Sequence, residues 1–457
     1  WIVVTGADVG AGGAPALVLR GVRLADHRFA DVHLCDGLIT EVTTPASGTG
    51  RSAQALDLRG YLLLPAPAEP HAHLDKAFAW TSIASTGDPA EVSGRSRDQV
   101  AGAPLTAGAP PDQPLDLGSA VATWLRHRPT MTRADLLDRA GRAVLAYLAH
   151  GATAIRTHVD VADDIGLRGL SALVEVRGRF AAACTIQVVA FANSPLCGGA
   201  GAGNRQLLRE AMSAGADVVG GCPSVDPDPA GCISTCLDIA AEHHAPVDLH
   251  VDETLDPQPC TLALLAQAVM RSGFPHPVVA SHCVSLGAMP VDQAATIVDM
   301  VAAARIAVTC LPQTNLYLQG RAHQTAPPRG LTALRLLRSA GVLVAAGGDN
   351  LQDPFNCLGR ADPLETAALL VLAGHQTPDT AYAAVSGTAR EVLGLPSVEI
   401  TPGAPAELVA VRAESVRQAI AEATVDRLVI HAGQVVARTT ATRELPHHLL
   451  DLEGVPE

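Results

Sequence analysis

His71-Ala-His73 places two imidazoles at alternate positions just past the apolar run Tyr61 to Pro65. Alternate residues leaving a strand point the same way, so both rings can reach one ion. Three later segments supply what such a pair lacks: His250-Val-Asp-Glu253, Ser281-His282 and Gly347-Gly-Asp349-Asn350. Imidazoles with a carboxylate suit one borderline divalent ion such as zinc or iron, and a coordination position left to water makes such a site catalytic. His250 reads as a third ligand and Asp349 as a fourth. An ion of this kind lowers the pKa of bound water, and a nearby carboxylic acid can then carry a proton to the leaving side. Glu253 fits that role, with Asp252 as its competitor. Asp caps helices and Glu rarely does, so the capping reading fits Asp252 better than Glu253. His282 is placed to orient and deprotonate the water, beside Asp349. One His-x-His pair among 17 histidines says little. Four strand-end sites in one chain say much more.

Each of these sites ends a short Val/Ala/Leu-rich run, where a (β/α)8 barrel collects catalytic groups from different strands. Eight such runs recur with helix-like stretches between them: Leu62 to Leu64, Ala154 to Val159, Ile186 to Phe191, Asp217 to Gly220, Val247 to Val251, Val278 to His282, Ile306 to Cys310 and Val342 to Ala346. The fold class is therefore α/β, a TIM-like barrel over residues 66–395. Strand-like segments at both ends, with an Asp36-Gly37 hairpin signal among them, predict a small β-sandwich domain built from residues 1–65 and 396–445. Residues 81–118, rich in Gly, Pro, Ser and Asp, are too long for an ordinary connection and read as a lid or flexible insertion. Residues 446–457 form a C-terminal tail.

A length of 457 residues suits a barrel plus an accessory module. A net charge of −14 argues against a nucleic-acid partner, since phosphate binding needs basic patches. The low aromatic content, 3%, offers no base-stacking platform. Ten scattered cysteines without a Cys-x-x-Cys pair point to reduced thiols and a cytoplasmic setting. The chain starts at Trp1 without a leader pattern, and no apolar stretch reaches the length of a membrane span. The glycine cluster Gly198 to Gly203 lacks the Lys-Ser/Thr step of a phosphate loop and reads as a flexible turn. The expected partner is a small heterocyclic molecule, with no nucleic acid or membrane involved, and the expected assembly a homo-oligomer.

In order, HAHLDK, GATAIRTHVDV, QVVAF, GADVVGG, HVDE, ASH, LYLQGR and GGDNLQDPFNCLG resemble the amidohydrolase superfamily, in the branch holding cytosine deaminase and N-isopropylammelide isopropylaminohydrolase. The resemblance runs from about residue 60 to 395. It implies one zinc or iron ion on His71, His73, His250 and Asp349, water activation by His282 and Asp349, and proton transfer through Glu253. Departures from the cytosine deaminase pattern mark the pocket: Asn193 stands for a Gln, Asn350 for a second Asp and Phe355 for a Trp. Lys76 resembles the triazine enzyme instead. Gln319 and Arg321 are further candidates for substrate contact, although a Gly-containing loop is more often a turn. His158 and Asp160 read as supports behind the ligands, and Asp353 as a pin for the Asn350 loop. Together these residues imply a metal-dependent aminohydrolase acting on an amino- or alkylamino-bearing carbon of a pyrimidine- or triazine-like ring. The alternatives are a cyclic amide hydrolase, which usually carries a second ion on a strand-four lysine, and a non-catalytic binding relative.

Overall fold

The computed structural model describes residues 16–45, 54–85, 115–258, 260–442 and 444. Most of the 81–118 insertion, and the 446–457 tail, lie outside the described residues. Eight parallel strands make the barrel: Ala68–Ala72, Ala154–Val161, Thr185–Ala192, Val218–Gly221, Val247–Val251, Val278–His282, Ala307–Cys310 and Val344–Ala346, paired in chain order. A parallel bridge from Ala72 to Asp349 closes the first strand onto the end of the last. These strands are buried along nearly their whole length, because helices cover the outside and side chains fill the inside. That is why they read as continuous apolar runs rather than alternating ones.

One expectation needs correction. Leu62–Pro65 is not the first barrel strand; it pairs antiparallel with Leu408–Val411, from Leu62 opposite Val411 to Pro65 opposite Leu408. The barrel begins at Ala68–Ala72, which contains His71 itself. Four apolar residues bear no mark of which sheet they join, and periodicity cannot separate such cases.

The remaining strands, from both ends of the chain, form an eight-stranded mixed sheet around its own apolar core of residues such as Leu19, Val32, Ile39, Leu63, Leu408 and Ile430. Two tight hairpins shape it. Asp36 and Gly37 have φ of 49° and 79°, and Ala432 and Gly433 have 47° and 76°. Two consecutive positive φ values are what a two-residue hairpin of matching twist demands. Among the described residues no helix is long and apolar enough to cross a membrane.

Candidate active site

The barrel mouth gathers its chemistry from the ends of strands one, five, six and eight. His71 lies in the first strand and His73 just beyond it; His250 lies in the fifth and His282 ends the sixth. Asp349 follows the eighth, its backbone N–H donating to the His71 carbonyl at 3.1 Å. His282 and Asp349 adopt φ of 72° and 63°. Such left-handed backbone is strained for residues with a Cβ and turns the two side chains in over the barrel axis.

Four ligand-type atoms converge there. The Nε2 atoms of His71 and His73 each lie 3.2 Å from Nε2 of His250. Asp349 Oδ1 stands 3.6 Å from His71 Nε2 and 3.4 Å from His73 Nε2. Ligands about 2.1 Å from a shared tetrahedral ion would sit roughly 3.4 Å apart, so the spacing fits one ion. Burial holds all three imidazoles well below their usual pKa, the neighbouring rings and, for His73, the Lys76 ammonium adding to it. They are neutral, as ligands must be. Burial, together with the carboxyls of Glu253, Asp353 and Glu69, pushes Asp349 well above the carboxylate range. Both Asp349 oxygens are buried without a hydrogen-bond partner among the described residues. A buried carboxylate facing neutral rings lacks a cation, and a divalent ion would satisfy it. The residues present fit a metal.

Glu253 and His282 stand at the edge of this cluster. Glu253 Oε1 is 3.6 Å from His282 Nδ1. Burial pushes the Glu253 carboxyl up to about 8, the Lys76 ammonium only partly opposing it. Burial, reinforced by His158, depresses His282 to about 3. Asp252, by contrast, is committed to capping: its carboxylate accepts from the backbone N–H groups of Thr261 and Leu262, which open the helix Thr261–Ser272.

The expected substrate contacts divide into occupied and open groups. Lys76 Nζ lies 2.9 Å from Asp160 Oδ1 and 2.9 Å from His73 Nδ1, between the rings of Trp124 and Phe191. Asn350 donates to Asp353 Oδ2 at 2.8 Å, so Asp353 does pin that loop. Gln319 donates to the Glu253 carbonyl at 3.0 Å and braces the acid. Arg321 is exposed and lies over Tyr317. Asn193 is half-buried two residues beyond Phe191, whose ring centre is 4.5 Å from that of His250. Phe355 packs against the small apolar cluster that includes Trp124 and Ile165. The His158 ring centre lies 3.9 Å from that of His71, and its Nε2 is 3.6 Å from Asp248 Oδ1.

Several supporting residues escaped the sequence reading. Glu69, two residues before His71 in the first strand, accepts from the N–H groups of His71 and Gly348 and ties that strand to the Asp349 loop. Asp248 stands in the same relation to His250. Alternation along the regular fifth strand already pointed to Asp248, whereas a register shift between Glu69 and Ala72 breaks it at Glu69. Trp124 and Arg128, from the segment after the insertion, donate to Asp160. No sequence pattern marks them. Asn315 lies 3.0 Å from His282 Nδ1.

Comparisons with known proteins agree with this architecture. Residues 119–437 match the amidohydrolase family model. The chain is 31% identical over 417 residues to a pterin deaminase of Rhizobium rhizogenes, covering 90% of this chain and 88% of that one. The structure of 5-methylcytosine deaminase from Klebsiella pneumoniae bound to 5-fluorocytosine superposes with a TM-score of 0.79 at 25% identity, covering 95% of this chain and 100% of the other. N-isopropylammelide isopropylaminohydrolase from Burkholderia multivorans gives 0.76 at 27% identity, with 93% and 99% covered. The chain belongs to the amidohydrolase family, in the branch that holds cytosine deaminase and N-isopropylammelide isopropylaminohydrolase, and is a carbon–nitrogen hydrolase.

Proposed function

We propose that this protein hydrolytically removes an amino or alkylamino group from a carbon set beside a ring nitrogen in a small heterocycle, an aminopyrimidinone first of all. The observation that carries this reading is the convergence of His71, His73, His250 and Asp349 on one point with a neutral carboxylic acid, Glu253, at its edge. A divalent ion held there would supply a water of lowered pKa. His282 and Asp349 accept hydrogen bonds from the attacking water. Glu253 donates its proton to the ring nitrogen beside the attacked carbon, is reprotonated with the proton that His282 takes from the water, passes that one to the departing amine, and regains the water's second proton as the new carbonyl forms. A C–O bond forms, the C–N bond breaks, and ammonia or an amine leaves.

Pterin, 5-methylcytosine and N-isopropylammelide, named in the relatives, each carry such a group. Asn193 is one methylene shorter than a Gln, which leaves room for a ring larger than cytosine. The fourth strand ends at Gly221-Cys222 and offers no lysine for a second ion, against the cyclic amide reading. An ammonia-coupled screen of metal-loaded protein against pterins, pyrimidines and triazines tests the proposal. It predicts ammonia from an aminopyrimidinone larger than cytosine, such as one fused to a second ring, with cytosine itself a poor substrate. Ring opening of a cyclic amide without ammonia would contradict it.

A further inference from the structure

Of the three ligand-type histidines, His71 has a distinct outer neighbour. Its Nδ1 lies 2.9 Å from the Ser281 hydroxyl, and that hydroxyl lies 2.8 Å from Asp248 Oδ1. The other Asp248 oxygen accepts from Arg156 Nη1 at 2.9 Å, and Arg156 is fixed in turn by Gln187 and the Val392 carbonyl. His71, Ser281 and Asp248 are fully buried and Arg156 nearly so.

A serine hydroxyl has one hydrogen, and a carboxylate paired with an arginine accepts. The hydrogen of Ser281 therefore goes to Asp248, and the serine oxygen receives Nδ1–H from His71. The His71 proton is fixed on Nδ1, and Nε2 is left with its lone pair facing His250 and Asp349. The other two histidines lack this arrangement. His73 Nδ1 faces the Lys76 ammonium, and His250 Nδ1 is buried without a hydrogen-bond partner among the described residues.

We propose that Ser281, oriented by Asp248, is a positioning residue that fixes the His71 ring and tautomer for ion binding; this rests on the metal-site reading above. Without the hydroxyl, Nδ1–H loses its acceptor, and the ring is free to carry its proton on Nε2, the form that cannot ligate.

Zinc affinity of the stripped full-length protein, measured by competition with a chelator, tests this without reference to turnover. Ser281→Ala should weaken zinc binding about 10–100-fold, the range for losing such a support, while Ser281→Thr, which keeps the hydroxyl, restores it. Melting of the metal-free proteins shows whether each variant folds. Ser281→Cys keeps the volume with a poor acceptor, so it gives the same reading, weakened zinc binding, should the alanine variant not fold. Zinc binding by the alanine or cysteine variant as tight as in the parent would overturn the inference while leaving the metal site standing. A parent that binds no zinc or ferrous iron would overturn both.

Discussion

Glu253 and His282 lie 3.6 Å apart, and burial moves their titrations in opposite directions, the carboxyl up to about 8 and the imidazole down to about 3. An acid that still carries its proton at neutral pH beside an uncharged base is the pairing that proton transfer needs. Replacing Glu253 with Gln should keep zinc content while lowering kcat roughly 100-fold or more. The sign of the pH dependence follows from the raised value. The acid is protonated below about 8, so kcat/KM on an uncharged ring should fall as pH rises through about 8. A Gln variant that retains both its rate and that alkaline limb would reassign the role. At this scale part was legible in the sequence: residue types favoured Asp252 over Glu253 as the helix cap, and Asp252 does cap. What the pocket residues do was less legible, because Lys76, Gln319 and Asn350 have polar ends bonded to protein partners that lie far away or behind them.

At the scale of elements, the first and eighth strands are stitched together under the site. Glu69 accepts from Gly348 N–H at 2.9 Å, and a Cβ added at Gly347 would stand 2.1 Å from Glu69 Oε1. Gly347 is therefore required by close approach rather than by its backbone angle. Gly347→Ala should displace Glu69 and the Asp349 loop, costing about 1–3 kcal/mol and loosening metal binding. Urea unfolding and metal content check this; a variant with unchanged midpoint and full metal would show that the seam is slack. Seven of the eight barrel strands could be read from their apolar runs, because full burial writes a plain signal. The first could not: Ala68-Glu-Pro-His-Ala72 holds a proline and two ionisable residues, and the apolar run before it belongs to the other sheet. Chemistry had displaced the pattern that marks a strand.

Across the whole molecule, the terminal sheet is bound to the barrel by buried charge. Arg427 donates to both oxygens of Asp362 at 2.8 Å and to the His150 carbonyl at 2.7 Å, and its own burial is almost complete. Asp362 also caps the helix Pro363–Leu372 that follows the Asp349 loop. Removing one partner of a buried pair strands the other, so Arg427→Met should lower stability by about 3–5 kcal/mol in denaturant unfolding. A loss within error would place the tether elsewhere, for instance at Glu407, His431 and Arg390. Both tethers join residues hundreds of positions apart or drawn from separate modules, and no local sequence signal announces such pairs.

On the proposed function, one divalent ion on His71, His73, His250 and Asp349 makes this barrel a deaminase. Stripped protein titrated with zinc or ferrous iron, with ammonia release from an aminopyrimidinone followed at each addition, tests it most directly. Activity should rise from near zero and break at one equivalent per chain. Full activity in the stripped protein, or a rise continuing to two equivalents, would contradict it.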